Sequence, residues 1–495
     1  MLYNEALEFD DAEKLFDEIK TKLQDEATML KNMHFVEDDL INQGRELSRR
    51  LLQGYLRNCG NGDIGKELMT SENVRLTHKR SISRTIHSFF GSVILNRIGY
   101  SNRGKEIIYP LDAFLNLPST SFSYALQKFL VKEVAKGSID DALQLVYEVT
   151  GVKISKGKAI QLIEASSCDF DDFYEEKSRI IFDVSPIPLL VLTTDAKGIV
   201  MRPEGLRETT KKRRVKTEHK HKTRLSKGEK RNSKRMAQVA SIYYIDRFRR
   251  NPKEVFDECC RRKVNVLRPK PVAKRLWASV EKDAVDVIDT LVQEAKRRDC
   301  DQKKEWVVLV DGQDYQIDQM KASLKRHQVQ ATIVLDIVHA IEYLWKAAHQ
   351  FFEEGSFSCE RWVESKLEQI LESGGRKTAR SIRMSAAKRL AKEKRTIVEK
   401  SATYLADRSS YTNYHDYLKK GYPIGTGVIE GACRYLVKDR MDITGARWGL
   451  AGAEAVLKIR SILKSQNFDE YWNYHIDQEY QRNYMTKFFN PLEIL

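Results

Sequence analysis

The chain has 495 residues and a formal charge of +15, from 85 lysines and arginines against 70 aspartates and glutamates. That length allows two to four domains with cores of their own, and the positive excess points to a polyanionic partner, most simply nucleic acid. The seven cysteines are scattered with no Cys-x-x-Cys, which gives neither a disulfide framework nor a structural zinc motif. The start is too acidic for a signal peptide, and the longest apolar run, near Ile187 to Leu192, is far too short for a membrane span, so a soluble cytoplasmic protein is expected.

Residues 10–57 read as charged helices carrying Leu15, Ile19 and Leu23 on one face. From Thr85 to Tyr109, alternating apolar and aromatic residues predict a small β hairpin with Asn102, Arg103 and Gly104 as its turn, and 110–118 is an irregular connector. Helices return over 122–167. Ser138 caps one that ends near Gly151, and Ser155 caps the next, with Lys156, Lys158 and Gln161 facing outward. A helix, a glycine turn and a capped helix with a basic face is the outline of a helix-turn-helix, so this region, 80–184, is expected to bind DNA. Two-helix pairs of this kind also occur without DNA.

After the stiff Ser185-Pro-Ile-Pro188, three short apolar runs rich in β-branched residues appear: Leu189 to Thr193, Trp306 to Val310 and Ala331 to Leu335. Such runs suit strands buried on both faces of a mostly parallel sheet. Each leads into an acid: Asp195, Asp311 and Asp336, the last with His339 three residues on. Between the first two lie a basic stretch (Arg202 to Arg235), a β-like run (Ala237 to Ile245) and an amphipathic helix over 280–298. The basic stretch includes Lys211, Lys212, Arg213, Arg214, Lys220, Lys222 and Arg224 and is expected to be a mobile loop that orders on phosphates. Ile317, Met320 and Leu324 mark a crossover helix. The order strand, strand, strand, helix, strand, helix, strand, helix is that of an RNase H-like domain, in which the first strand lies beside the fourth. Asp195 and Asp311 would then be neighbours.

Beyond 337 the chain is helical, broken at Gly374-Gly375, until the turn-rich Gly421 to Gly427 opens a helix carrying Glu430 and, one turn later, Arg434. Two acids on neighbouring strands and a third on a helix packed against them can hold two Mg²⁺ or Mn²⁺ ions, which prefer oxygen ligands. In this reading Asp195 bridges both ions, Asp311 binds one and Glu430 the other, for in-line phosphoryl transfer. Asp311 and Asp336 compete for the second position; strand order favours Asp311 and leaves Asp336 and His339 beside the site. Each aspartate also has a plain structural reading, Asp311 as a turn cap before Gly312 and Asp336 as a helix N-cap. Arg434, Lys438, Arg440, Arg447 and Trp448 are placed either to contact phosphates and stack on an unpaired base, or to form surface ion pairs and core. Tyr411, Tyr414 and Tyr417 read as a packing stripe.

The segments Asp195 to Pro203, Asp311-Gly312, Asp336 to Trp345, Gly421 to Arg434, Lys438 to Met441 and Gly445 to Trp448 together resemble ISKra-type bacterial insertion-sequence transposases, which have an RNase H-like core and a DDE triad. The resemblance spans about 80–475. It implies DNA transposition, with the triad at Asp195, Asp311 and Glu430 and Mg²⁺ or Mn²⁺ as cofactor. It further implies a bacterial, nucleoid-associated location and double-stranded partners, the terminal inverted repeats and target DNA, handled by a dimer or larger assembly. Asp336-x-x-His339 is similar to the Cys/Asp-x-x-His motif of Mutator- and hAT-like transposases, and 341–420 to their helical insertion. The expected organisation is multi-domain α/β: 1–60 helical; 80–184 DNA-binding; 185–340 with 421–465 catalytic; 466–495 a tail. The rivals are a structure-specific nuclease without strand transfer and a DNA-binding derivative that no longer cuts.

Overall fold

Unbroken apolar runs flanked by turn residues set the centre of this chain, as a five-stranded sheet. The computed structural model describes residues 9–104, 106–179, 186–218, 220–221, 223–260, 267–443 and 445–485. It divides into two units, Met1–Phe170 with Phe468–Leu495, and Asp171–Asn467.

The second unit holds the sheet: β1 (Leu189–Val200), β2 (Lys234–Ile245), β3 (Val272–Ser279), β4 (Glu305–Val310) and β5 (Thr332–Leu335). The strand order is β3-β2-β1-β4-β5, with β1, β4 and β5 parallel to one another and β2 antiparallel to both its neighbours. The sheet is therefore mixed, and the fold is α/β. The first and fourth strands are neighbours, Thr193 pairing with Leu309.

Both faces are covered, which is why β1 and β4 are apolar without alternation. Helix α1 (Ala284–Arg298) buries Val287, Ile288, Leu291, Val292 and Ala295. On the other face Leu189, Val191, Val307 and Leu309 share one core with helices α2 (Ile337–Phe351), α3 (Phe357–Arg389) and α4 (Lys392–Asp407). The helical segment 341–420 thus has no separate core. Gly374 interrupts α3 with φ +74, and Thr412 Oγ1 accepts the freed Gly375 N–H at 2.8 Å. Tyr414 and Tyr417 are buried packing residues, and Tyr414 Oη donates to Leu335 O at 3.0 Å.

In the first unit the hairpin is His78–Ser88 with Gly91–Ser101, one strand earlier than the alternation suggested. Its turn is at Phe89-Phe90, with Gly91 at φ +123, whereas 102–104 leads only to an isolated bridge between Tyr100 and Ile108. The first strand was hidden because His78 to Arg84 is mostly exposed and polar on both faces. Ser138 and Ser155 cap the helices Ile139–Thr150 and Lys156–Ala165, accepting from Asp141 N and Lys158 N, and Gly151 closes the first at φ +72. The stretch from 466, expected as a tail, includes a helix, Phe468–Tyr480, that buries Phe468, Tyr471, Trp472 and His475.

Asp169 anchors that helix, accepting from His475 Nδ1 at 2.6 Å and from Arg482 Nη1 and Nη2 at 2.5 and 2.8 Å. Burial alone would raise its pKa; the bonds from His475 and Arg482 outweigh it and hold the carboxyl well below the usual range. A depressed folded pKa gives stability that is present above the unfolded value and lost as pH falls through the folded one. Wild type and Asp169→Asn should therefore differ most in thermal midpoint at neutral pH and converge from about pH 5 downward. Melting curves from pH 7 to 3 that stay parallel would refute this role.

Candidate functional site

The placing of the three acids follows from the register: Asp311 and Asp336 directly follow β4 and β5, whereas Asp195, expected to end its strand, lies within β1, which pairs with β2 as far as Val200. Thr193 pairs with Leu309 and Val310 with Leu335, so continuing the register sets the three acids level, Asp195 on β1 and Asp311 and Asp336 just past β4 and β5. Parallel neighbours are about 4.8 Å apart, and alternation puts Asp195 and Asp311 on the same face as Val191 and Leu309.

Asp195 is partly exposed, and its Oδ2 accepts from Cys433 Sγ at 3.1 Å. Cys433 is buried, one helical turn past the exposed Glu430 on helix α5 (Gly427–Ala432). Burial, reinforced by the negative charge of Asp195, pushes the Cys433 thiol far up, so it is a neutral donor. Cys433 starts a π-helical stretch, Cys433–Lys438. Such wide turns cluster at functional sites and leave carbonyls without their usual partners. Here the buried Arg460 supplies donors to Leu436 O, at 2.9 Å, and Tyr435 O.

Asp311 is also partly exposed. One carboxylate oxygen accepts from Gln313 N at 2.9 Å, which is the turn cap, and its carbonyl accepts from Tyr404 Oη at 2.8 Å. Gly312 has φ +90, and a Cβ there would strike Tyr404 Oη and lie 2.9 Å from Leu335 Cδ1. Arg408 locks the same turn, donating to Gly312 O at 2.5 Å and to Asp314 Oδ1 at 2.6 Å.

Asp336 is fully buried and N-caps α2, accepting from Val338 N at 2.9 Å on Oδ1 and from Thr426 Oγ1 on Oδ2. Burial raises its pKa despite those bonds. Asp336, His339 and Glu430 bring ligand atoms within 4.8 Å of one another, a group that could hold a metal ion. Asp195 and Asp311 do not belong to that group. Of the three acids in the triad reading, Glu430 alone belongs to it.

The remaining expected residues are dispersed. Trp448 is buried, donates to Met441 O at 3.1 Å and bridges to Met201, so it is core and is not offered to a base. Arg440 is buried over the Trp448 ring, while Arg434, Lys438 and Arg447 are exposed, Arg434 lying 3.6 Å from Asp439. The basic stretch is not all loop: Glu208–Lys216 is a helix with no buried residue, on which Lys211 pairs with Glu208 while Lys212, Arg213 and Arg214 are exposed. Strands β1 and β2 extend to Val200 and Lys234 and shorten the link, and Arg235 is structural, donating to Val280 O and Gly205 O. Lys220 and Arg224 are exposed; Lys222 lies outside the described residues. In the first unit Lys156 pairs with Asp140, and Gln161 is exposed beside the partly exposed Lys158. Cys433, Thr426, Tyr404 and Arg408 were not singled out from sequence; only Cys433, three residues after Glu430 on one helix face, carried a signal. Among the described residues, no helix is long and apolar enough to cross a membrane.

Comparison with known proteins finds no family model and no curated protein that matches the chain.

Proposed function

We propose that the chain is a DDE-type DNA transposase with an RNase H-like core of the ISKra kind, cutting at the ends of an insertion sequence and joining the freed 3′ hydroxyl to a target. The observation that carries this reading is the Cys433 to Asp195 bond, because it ties the segment that continues the Glu430 helix to the middle of β1. Asp311 follows the adjacent strand level with Asp195, and this supports a reading in which those two carboxylates and Glu430 act together. The strand order supports the RNase H-like reading.

The donor set fits a hard divalent ion. Asp195, Asp311 and Glu430 offer partly or fully exposed carboxylates, although Asp195 already accepts from Ala196 N on Oδ1 and Cys433 Sγ on Oδ2, whereas Asp336 is fully buried with both oxygens engaged. Asp195, Asp311 and Glu430 would hold Mg²⁺ or Mn²⁺, which supplies activation of the attacking oxygen and charge stabilisation at the leaving one. Cys433 keeps one Asp195 oxygen oriented, and Tyr404 with Arg408 hold the Asp311 turn rigid. The exposed cations of Glu208–Lys216 and of Lys156–Ala165 would take the DNA backbone.

The test is incubation of the full chain with Mg²⁺ and labelled terminal-repeat DNA, with target DNA present. Cleavage and joined product are expected, both absent in a chelator. Cutting without joining would favour a nuclease, and metal-independent binding with no cutting would leave a DNA-binding derivative.

A further inference from the structure

A second charged cavity lies at the opposite end of the sheet. β3 runs parallel to β1, and Val272 at its start is level, through Tyr244, with Leu190 near the start of β1. Leu190 is five residues before Asp195, roughly 16 Å along the strand. The cavity beside Ala273, of about 340 Å³, therefore belongs to a different end of the molecule from the acids.

Its lining is strongly positive. Lys177, Lys274, Arg275, Arg298 and Lys464 face it against Glu294, five cations to one acid among the described residues. Glu294 is almost fully buried and is shared, with Arg275 on Oε2 and Arg298 on Oε1 at 2.7 Å. One carboxylate thus serves two buried guanidinium groups, and burial pushes them down, Arg275 to about 9 and Arg298 to about 10. Arg275 is further held with its guanidinium 3.6 Å from the Tyr174 ring centroid.

The backbone at the rim is also strained. Ala273 has φ +48 and Gln466 φ +60, left-handed conformations that are unfavourable for a non-glycine residue. Ala273 is held there in part by Arg298 Nη1, which donates to its carbonyl at 2.7 Å. Strain of this kind persists where surrounding structure over-determines it, often at ligand sites.

We propose that this cavity binds two adjacent phosphate groups. Fixed guanidinium forks with lysines at the rim suit phosphate oxygens in particular. The two phosphates are supplied either by a free pyrophosphate-like group or by successive phosphates of a nucleic-acid strand. The site is independent of the carboxylates at the other end of the sheet.

The test uses the full chain and the double reversal Lys274→Glu with Lys464→Glu, both exposed side chains, beside a control reversal of the exposed Lys303 and Lys325. Calorimetric titration with pyrophosphate and inorganic phosphate is run at matched ionic strength, and duplex binding is measured across a salt series. A free source is shown by pyrophosphate affinity falling at least about tenfold in the double variant and not in the control. A nucleic-acid source is shown by unchanged pyrophosphate behaviour with the duplex salt slope reduced by about two in the double variant alone. Equal responses of wild type, variant and control to every ligand overturn the proposal.

Discussion

Asp195→Asn, Asp311→Asn and Glu430→Gln should each abolish metal-dependent cleavage and joining, by on the order of a thousandfold or more, with little change in thermal midpoint. Each removes a carboxylate charge that would hold a divalent ion, and a metal contributes several kcal/mol at the transition state, with every 1.36 kcal/mol worth about tenfold in rate. Fold stability should change little because these groups are partly or fully exposed. Asp336→Asn should behave differently. Asn can still accept from Val338 N through its amide oxygen, and its NH₂ can donate to Thr426 Oγ1 in place of the present bond. A loss of about tenfold or less is expected, through shifts of the loop before Glu430. The measurement is the rate of cleavage and of strand transfer for all four variants under single-turnover conditions. If Asp336→Asn is as inactive as Glu430→Gln while Asp311→Asn retains activity, the metal site is the Asp336, His339 and Glu430 group instead, and the assignment by strand order fails.

That contest shows where sequence ran out. The runs ending at Asp195, Asp311 and Asp336 were legible as strands because β-branched residues buried on both sides leave no polar alternation, and β1 and β4 did become neighbours. Their periodicity placed the acids but could not choose between them, since the choice depends on which oxygens are already used. Asp336 spends both on Val338 and Thr426, the latter ninety residues away in sequence, and no local pattern announces a partner at that distance. Trp448 followed the third acid closely and read as a base-stacking candidate, but its backbone pairs beside the end of β1 and its ring is enclosed. The polar strand His78–Ser88 escaped for the opposite reason: its stability comes from pairing with Gly91–Ser101, and its own side chains carry little of the signal.

Glu294→Gln should be the most destabilising single substitution proposed for the second unit, at about 3–5 kcal/mol, because it removes the carboxylate charge that two buried arginines share while keeping the side-chain volume. Breaking a buried ion pair from one side costs more than the pair contributed, since a buried guanidinium left without its carboxylate does not recover its full hydration. Arg275 cannot simply turn outward, as Tyr174 lies over it and its residue is almost fully buried. Urea denaturation of wild type and variant measures the loss, and a cost below about 1 kcal/mol would mean that other groups already neutralise the arginines. The companion variant Arg275→Met with Glu294→Gln separates charge from packing. With one guanidinium gone, the remaining Arg298 has a neutral acceptor and its bond to Ala273 O, so the double variant should recover part of the loss. If phosphate groups occupy the neighbouring cavity, adding pyrophosphate should also narrow the gap between wild type and Glu294→Gln. The anion would then stand in for the missing carboxylate, stabilising the variant more than the wild type through its larger surplus of positive charge.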